Sequence, residues 1–271
     1  MRLWEGPAPG AHGSAPQDTP TLTIVQRHAS TAVGTAVIIA PGGGYQELES
    51  RQARVAAGWF AARGVTAFIL SYRLISDGYF HPSQLNDAHR AIRWVRAHAG
   101  EFKVRPDRIG MIGFSAGGHL TGMAETVFDA GDPNAADPVE RVSSRPDFAI
   151  LAYAGLAFGP TDPTPKMFAG PGASAAAARQ TMPSLNVTTQ TPPTFIFQTT
   201  EDQRLPATNA TGFYDALFAA KVPVEAHIFE RGEHGVGFDT TDPALALWPL
   251  LLQNWLAGRG LLERPIRQTA Y

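Results

Sequence analysis

The chain has no cysteine, which excludes disulfides and thiolate metal sites and leaves redox compartment unread. No apolar run approaches the roughly 18 residues that a membrane-spanning helix needs, so no membrane partner is expected. Charge of one sign is also lacking. A formal net charge of -2 gives no basic surface for nucleic acid or an anionic bilayer. The histidines show no H-x-x-x-H or similar metal-ligand spacing, so no metal is expected. No G-x-G-x-x-G fingerprint is present, and nothing else points to a cofactor. There is no internal repeat and no sign of oligomeric state. Residues 1–10 (Met1-Arg-Leu-Trp-Glu-Gly-Pro-Ala-Pro-Gly10) lack the apolar core of a signal peptide. The protein is accordingly expected in the cytoplasm, or in a secreted or periplasmic location if a signal segment has been removed. What remains, 271 residues of which 44% are hydrophobic and 17% charged, suits one compact domain with room for an insertion.

The chain alternates strand and helix signals. Residues 1–20 are rich in Pro, Gly and Ala and read as an extended arm on the surface. Strands are expected over Thr21–Gln26, Thr35–Ala40, Val65–Tyr72, Arg108–Phe114, Asp147–Tyr153, Thr194–Thr200 and Pro223–Glu230. They are short apolar or alternating runs of the kind a buried sheet requires. Helices are expected over Ser50–Arg63, Ser83–Ala99, from the end of the fourth strand to about Val127, over Pro206–Ala220 and after Asp242-Pro243. In the second of these, Leu85, Ala88, Ile92 and Val95 form an apolar stripe, with Asp87, Arg90 and Arg93 pointing elsewhere. In the fourth, Phe213, Leu217 and Phe218 are expected to face inward. Pro249 implies that the last helix starts late. This order predicts a doubly wound, mostly parallel α/β sheet with helices on both faces. Residues 154–193 carry Pro, Gly, Ala, Ser and Thr without a clear period except around Ala173–Arg179, and are expected to be an insertion over the site.

The chemistry centres on Gly113-Phe114-Ser115-Ala116-Gly117, a G-x-S-x-G sequence between a strand and a helix. That context presents a serine hydroxyl at a strained turn. It also sets the next N–H at a helix N-terminus, aimed at developing negative charge. Three fixed positions match by chance in a glycine-rich chain of this length about 0.1 times, so the remaining partners matter. An earlier strand ends in Pro41-Gly42-Gly43-Gly44-Tyr45, where glycines let backbone approach a ligand. This resembles the H-G-G-G-type oxyanion loop, with Pro41 in place of the histidine; backbone N–H groups of Gly43 and Gly44 would act with that of Ala116. Asp202 follows the sixth expected strand and His234 the seventh, both on the edge of the sheet that carries Ser115. Ser115 is therefore the expected nucleophile, His234 the general base and acid, and Asp202 the group that orients the imidazole. Glu201 is a rival acid, but Asp202 lies further into the strand-end turn. His81, His89, His98 and His227 read as surface or core groups, and His119, one turn past Ser115, as a buried hydrogen-bonding group. Tyr45, Tyr153, Leu205 and Val236 are candidate substrate contacts.

The chain order Ser, Asp, His is that of the α/β-hydrolases. Gly42-Gly43-Gly44-Tyr45, His81-Pro82 with Asp87–Ile92, Gly113–His119, Glu201-Asp202 with Pro206, and Val222–Phe229 before Gly235 resemble the bacterial α/β-hydrolase esterases. The likeness is to the acetyl-xylan-esterase-like and feruloyl-esterase-like carbohydrate esterases, from about residue 3 to 257, and is weakest in 154–193. It implies hydrolysis of short acyl esters, acetyl or feruloyl, on plant cell-wall sugars, with a small-molecule or oligosaccharide ester as partner. It also implies an exported origin, because the arm commonly follows a signal peptide in that family. The alternatives are a general short-chain carboxylesterase without sugar preference and a non-catalytic binding module. The last is disfavoured because such proteins typically lose a triad member, and all three candidates are present here.

Overall fold

A computed structural model describes residues 1–25, 32–159 and 161–263. Its centre is a seven-stranded sheet of order β1-β3-β2-β4-β5-β6-β7. The strands are β1 (Thr21–Val25), β2 (Ala36–Ala40), β3 (Thr66–Ser71), β4 (Ile109–Phe114), β5 (Phe148–Ala152), β6 (Thr194–Thr199) and β7 (Val224–Phe229). Only β1 runs antiparallel, pairing with β3. The other neighbours are parallel. Strands β2, β4, β5 and β6 are buried along their whole length. Burial on both faces explains why their sequences are continuous apolar runs and do not alternate.

The helices are α1 (Ser50–Ala61), α2 (Ser83–Ala97), α3 (Ala116–Thr126), α4 (Thr164–Ala169), α5 (Ala175–Gln180), α6 (Thr208–Ala219) and α7 (Trp248–Gly258). Alternate residues of each strand serve opposite faces. Ile112, Phe114, Ile150 and Phe197 pack with Phe60 of α1 and with Trp248 and Leu252 of α7. Ile38, Phe68 and Met111 pack with Leu85 and Ile92 of α2 and Leu120 of α3. Leu151 and Ile196 meet Phe213 and Leu217 of α6. Helices therefore cover both faces, as the alternation predicts. Parallel pairing sends the carboxyl ends of β2, β4, β5, β6 and β7 to one edge, where ligands bind in such sheets.

Expected element bounds hold to within one to two residues for most of the chain; Gln26 lies outside the described residues. The arm is fastened by backbone. Leu3 is buried, its carbonyl accepts from Arg90 Nε at 2.7 Å, and Pro9 O accepts from an Arg73 guanidinium N–H at 2.8 Å. Helix α7 starts late, at Trp248 with Pro249 in its first turn. Asp242 Oδ1 accepts from Ala244 N and Leu245 N, capping a 3₁₀ turn ahead of it.

One expectation is corrected. Phe218 is 69% exposed, whereas Phe213 and Leu217 are fully buried. It adjoins Leu217 on the helix surface, about 100° round from the inward stripe. Asp87, Arg90 and Arg93 point away from the apolar stripe, as expected, and do not reach water. All three are buried, and they pair respectively with Arg73, with Asp137 and Glu140, and with Asp129 and Glu140. Helix α2 is enclosed because the arm and the 129–145 segment lie over its polar side. Within the segment expected to be an insertion lie α4, α5 and a 3₁₀ turn at Pro183–Leu185; α4 has no sequence period of its own.

Candidate active site

Strand β4 ends at Phe114 and α3 begins at Ala116, so one residue, Ser115, makes the turn. Its φ of 52° and ψ of -117° lie where a non-glycine residue is strained by about 1–3 kcal/mol. The flanking glycines make the turn possible. A Cβ on Gly113 would lie 2.0 Å from Gly117 O, and one on Gly117 would lie 2.1 Å from Ala40 O and 2.4 Å from Pro41 O. No side chain fits at either position.

Ser115 Oγ lies 2.8 Å from His234 Nε2. His234 Nδ1 lies 2.7 Å from Asp202 Oδ2. The other oxygen of Asp202 accepts from Arg204 N and Leu205 N, both at 2.9 Å. Asp202 sits in the turn after β6, and its side chain is inaccessible, whereas that of His234 is 14% accessible. The charged carboxylate is thus satisfied on both oxygens. Because a carboxylate only accepts, it selects the Nδ1–H tautomer and leaves the Nε2 lone pair facing the serine hydroxyl. Glu201 does not compete. Its Oε2 accepts from Gly232 N at 3.0 Å, bracing the loop that carries His234.

Ser115 and His234 open into a cleft of about 780 Å³, lined also by Gly42, Gly43, Gly44, Ala116, Tyr153 and Leu205, with Asp202 buried behind the imidazole. Gly43 has φ 120°, and a Cβ there would meet Glu47 O at 2.2 Å. Its carbonyl accepts from Gln46 N and Glu47 N, which turns the loop tightly over the nucleophile. The added Cβ of Gly42 would be 3.4 Å from Ser115 Cβ. Ala116 N stands at the N-terminus of α3. Gly43, Gly44 and Ala116, the expected oxyanion-hole residues, line the same cleft as Ser115.

The candidate substrate contacts divide. Tyr153 and Leu205 line the cleft. The Tyr153 ring is 5.0 Å from that of His234, and its hydroxyl accepts from Gln52 Nε2. Tyr45 and Val236 do not line it. Tyr45 is 2% exposed, and its hydroxyl donates to His119 Nδ1 at 2.8 Å. Its φ of 61° turns the ring beneath the glycine loop, against Phe168 and Tyr72. Val236 packs on the core cluster that holds Trp248; Gly235 and Gly237 line the cleft on either side of it. His119 is buried, as expected, and its Nε2 donates to Thr181 O at 2.8 Å. Burial pushes its pKa down to about 4, so it stays neutral and holds the segment around Thr181, α3 and Tyr45 together. Gln52, Asp239, Phe158, Met167 and Phe168 also line the cleft. Nothing in the sequence marks them, because ordinary helix and loop residues become lining residues only when distant segments meet. Among the described residues no cluster of three metal-ligating side chains occurs.

With this geometry established, comparison with known proteins places the chain. The BD-FAE family matches residues 22–217. The chain belongs to the BD-FAE family. It is 34% identical over 235 residues to endo-1,4-beta-xylanase B of Butyrivibrio fibrisolvens, covering 85% of this chain and 36% of that protein. It is 28% identical over 226 residues to the acetylxylan esterase of Xylanibacter ruminicola, covering 76% of this chain and 42% of that protein. This BD-FAE chain thus spans less than half the length of either relative. Among solved structures it resembles an acetyl ester-xyloside bifunctional hydrolase from Caldicellulosiruptor lactoaceticus, with TM-score 0.88 and 34% identity over 97% of this chain and 96% of that one. The BD-FAE chain has the α/β-hydrolase fold, as the order of its elements predicts.

Proposed function

We propose that this chain is a serine carboxylesterase that removes short acyl groups, acetyl with feruloyl as the larger candidate, from carbohydrate such as xylan. The observation that carries the reading is the unbroken hydrogen-bonded line Ser115–His234–Asp202, at 2.8 and 2.7 Å, opening into a cleft faced by the glycine loop. Ser115 Oγ attacks the ester carbonyl while its proton passes to His234 Nε2. The imidazolium that forms is stabilised by Asp202. The tetrahedral oxyanion accepts from Ala116 N–H and from N–H groups of Gly43 and Gly44, each donor worth about 3–4 kcal/mol in the transition state. Collapse breaks the bond to the leaving alcohol, which takes the proton from Nε2. Water, deprotonated by the same nitrogen, then attacks the acyl-Ser115 carbonyl; the bond from Oγ to the acyl carbon breaks, Nε2 returns the proton to Oγ, and the acid leaves. The acetylxylan esterase and the acetyl ester-xyloside hydrolase among the relatives support the carbohydrate part of the reading.

Turnover of p-nitrophenyl acetate by the wild type and by Ser115→Ala tests the chemistry. The variant should fall to the background rate, and retained turnover would sink the assignment. Acetate release from acetylated xylan, set against p-nitrophenyl butyrate hydrolysis, separates a carbohydrate esterase from a short-chain esterase without sugar preference.

A further inference from the structure

The cleft around Ser115 is chemically two-sided. One wall is apolar. Gly155, Phe158 and Leu205 line the cleft, and a Cβ built on Gly155 would be 3.0 Å from the Phe158 ring and 3.5 Å from Leu205 Cδ2, so the three pack against one another on one side of its hollow. The Phe158 ring is 6.3 Å from Phe168, which extends the apolar surface; Thr164 and Arg204 also line the cleft. The other wall is polar. Gln52 Oε1 approaches the Gly42 backbone beside Ser115, and its Nε2 faces Gly237, where Asp239 Oδ1 also lies. Asp239 in turn pairs with Arg51 at the rim.

His234 decides which wall takes which half of the ester. Its Nε2 must hand a proton to the leaving oxygen, so the alcohol departs on the side of Nε2. The loop that carries His234 runs on through Gly235 and Gly237 to Asp239, into the polar wall. A sugar needs hydrogen-bond partners for its hydroxyls, whereas an acyl chain gains from leaving water.

We propose that the acyl group lies against Gly155, Phe158 and Leu205, and that the carbohydrate leaving group lies against Gln52, Arg51 and Asp239. This rests on the esterase reading above and adds the orientation of the substrate and the residues that select each half. Gly155 does not have a positive φ, so it tolerates a side chain conformationally; its missing side chain lets the Phe158 ring seat against the backbone, and a larger residue there would push that ring toward the acyl chain.

The test measures kcat/KM for p-nitrophenyl acetate, p-nitrophenyl butyrate and acetylated xylobiose. Gly155→Val should lower the butyrate-to-acetate ratio about tenfold, the range for a methylene-scale change in an apolar pocket. Leu205→Ala, which enlarges the same hollow, should raise that ratio. Asp239→Ala should lower the ratio of acetylated xylobiose to p-nitrophenyl acetate about tenfold and leave the butyrate-to-acetate ratio in place. The partition is overturned if the Gly155 and Leu205 variants change sugar preference while acyl preference stays within about twofold, or if no ratio moves. Wild-type turnover separates the two levels of failure. If it hydrolyses none of the three esters, the esterase reading itself fails; if it hydrolyses them and the ratios do not move, only the partition does.

Discussion

Asp202 illustrates how much one side chain's surroundings decide. It is inaccessible, accepts two backbone N–H groups on one oxygen and meets His234 Nδ1 with the other. An amide in its place can present its NH₂ to Nδ1 and so favour the wrong imidazole tautomer. Asp202→Asn should therefore lower kcat by about 10⁴ while leaving the fold intact. Glu201→Gln keeps an oxygen for Gly232 N and should cost less than about tenfold. Steady-state kinetics on p-nitrophenyl acetate distinguish the two, and a larger loss at Glu201 would reverse the assignment. The serine, the acid and the histidine were legible in the sequence as neighbours-to-be, because each follows a strand and all the strands concerned share a direction. Tyr45 and Val236 were misplaced for the complementary reason. Nearness in sequence to Gly44 or His234 says nothing about which way a side chain turns. Gln52 could not be found at all, since its contact with Tyr153 joins residues a hundred positions apart through a sheet not yet formed.

At the level of elements, α2 shows where amphipathic reasoning misleads. Its apolar stripe was legible and packs on the sheet as expected. Its charged side is enclosed and not solvated, because pairing and burial are compatible for arginine when its donors are used. Arg73, at the end of β3, gives its backbone N–H and guanidinium to Asp87 and a further N–H to Pro9 O. One pair of side chains, both inaccessible, thus joins the central sheet, α2 and the N-terminal arm. Burial holds the Asp87 carboxyl above the usual aspartate range, with Arg73 opposing that shift. Removing the acid strands a buried guanidinium, which costs about 3–5 kcal/mol. For a chain of this size that corresponds to a fall in Tm of roughly 10 °C. Asp87→Ala should show it in urea and thermal unfolding, and a loss below about 1 kcal/mol would mean that water or the arm rearranges to rescue Arg73.

Across the whole molecule, stability is tied to protons held far from the reaction. Glu125, in the last turn of α3, is fully buried, and its Oε2 lies 2.7 Å from Thr194 Oγ1 at the start of β6. Thr194 Oγ1 also lies 3.0 Å from Pro192 O. A hydroxyl has one proton. If that proton goes to the carbonyl, Glu125 must be the donor to Thr194, and so must be the neutral acid. Desolvation pushes its pKa up to about 8, with Thr194 and the more distant Arg145 opposing the shift too weakly to prevail; the negative end of the α3 dipole acts in the same direction as desolvation. The folded state therefore holds a proton that the unfolded chain releases near its ordinary value of 4.5. This stabilisation is complete below that value and is lost as pH rises to about 8. His89 and His119, whose pKa values burial lowers to about 4, have the opposite slope. Their contribution is complete above the ordinary imidazole value of 6.5 and is lost as pH falls through the folded values. Between about pH 6.5 and 8 the Glu125 term stands alone, so wild-type stability should peak near pH 6.5 and decline toward pH 8 by a few kcal/mol at most. Glu125→Gln, of the same shape but without a titrating proton, should flatten that decline and steepen the rise between about pH 4.5 and 6.5, where the histidines then act unopposed by Glu125. Urea unfolding at half-unit pH steps reads both limbs. An alkaline decline of equal size in the variant would show that the proton is held elsewhere and that Glu125 is buried as the anion.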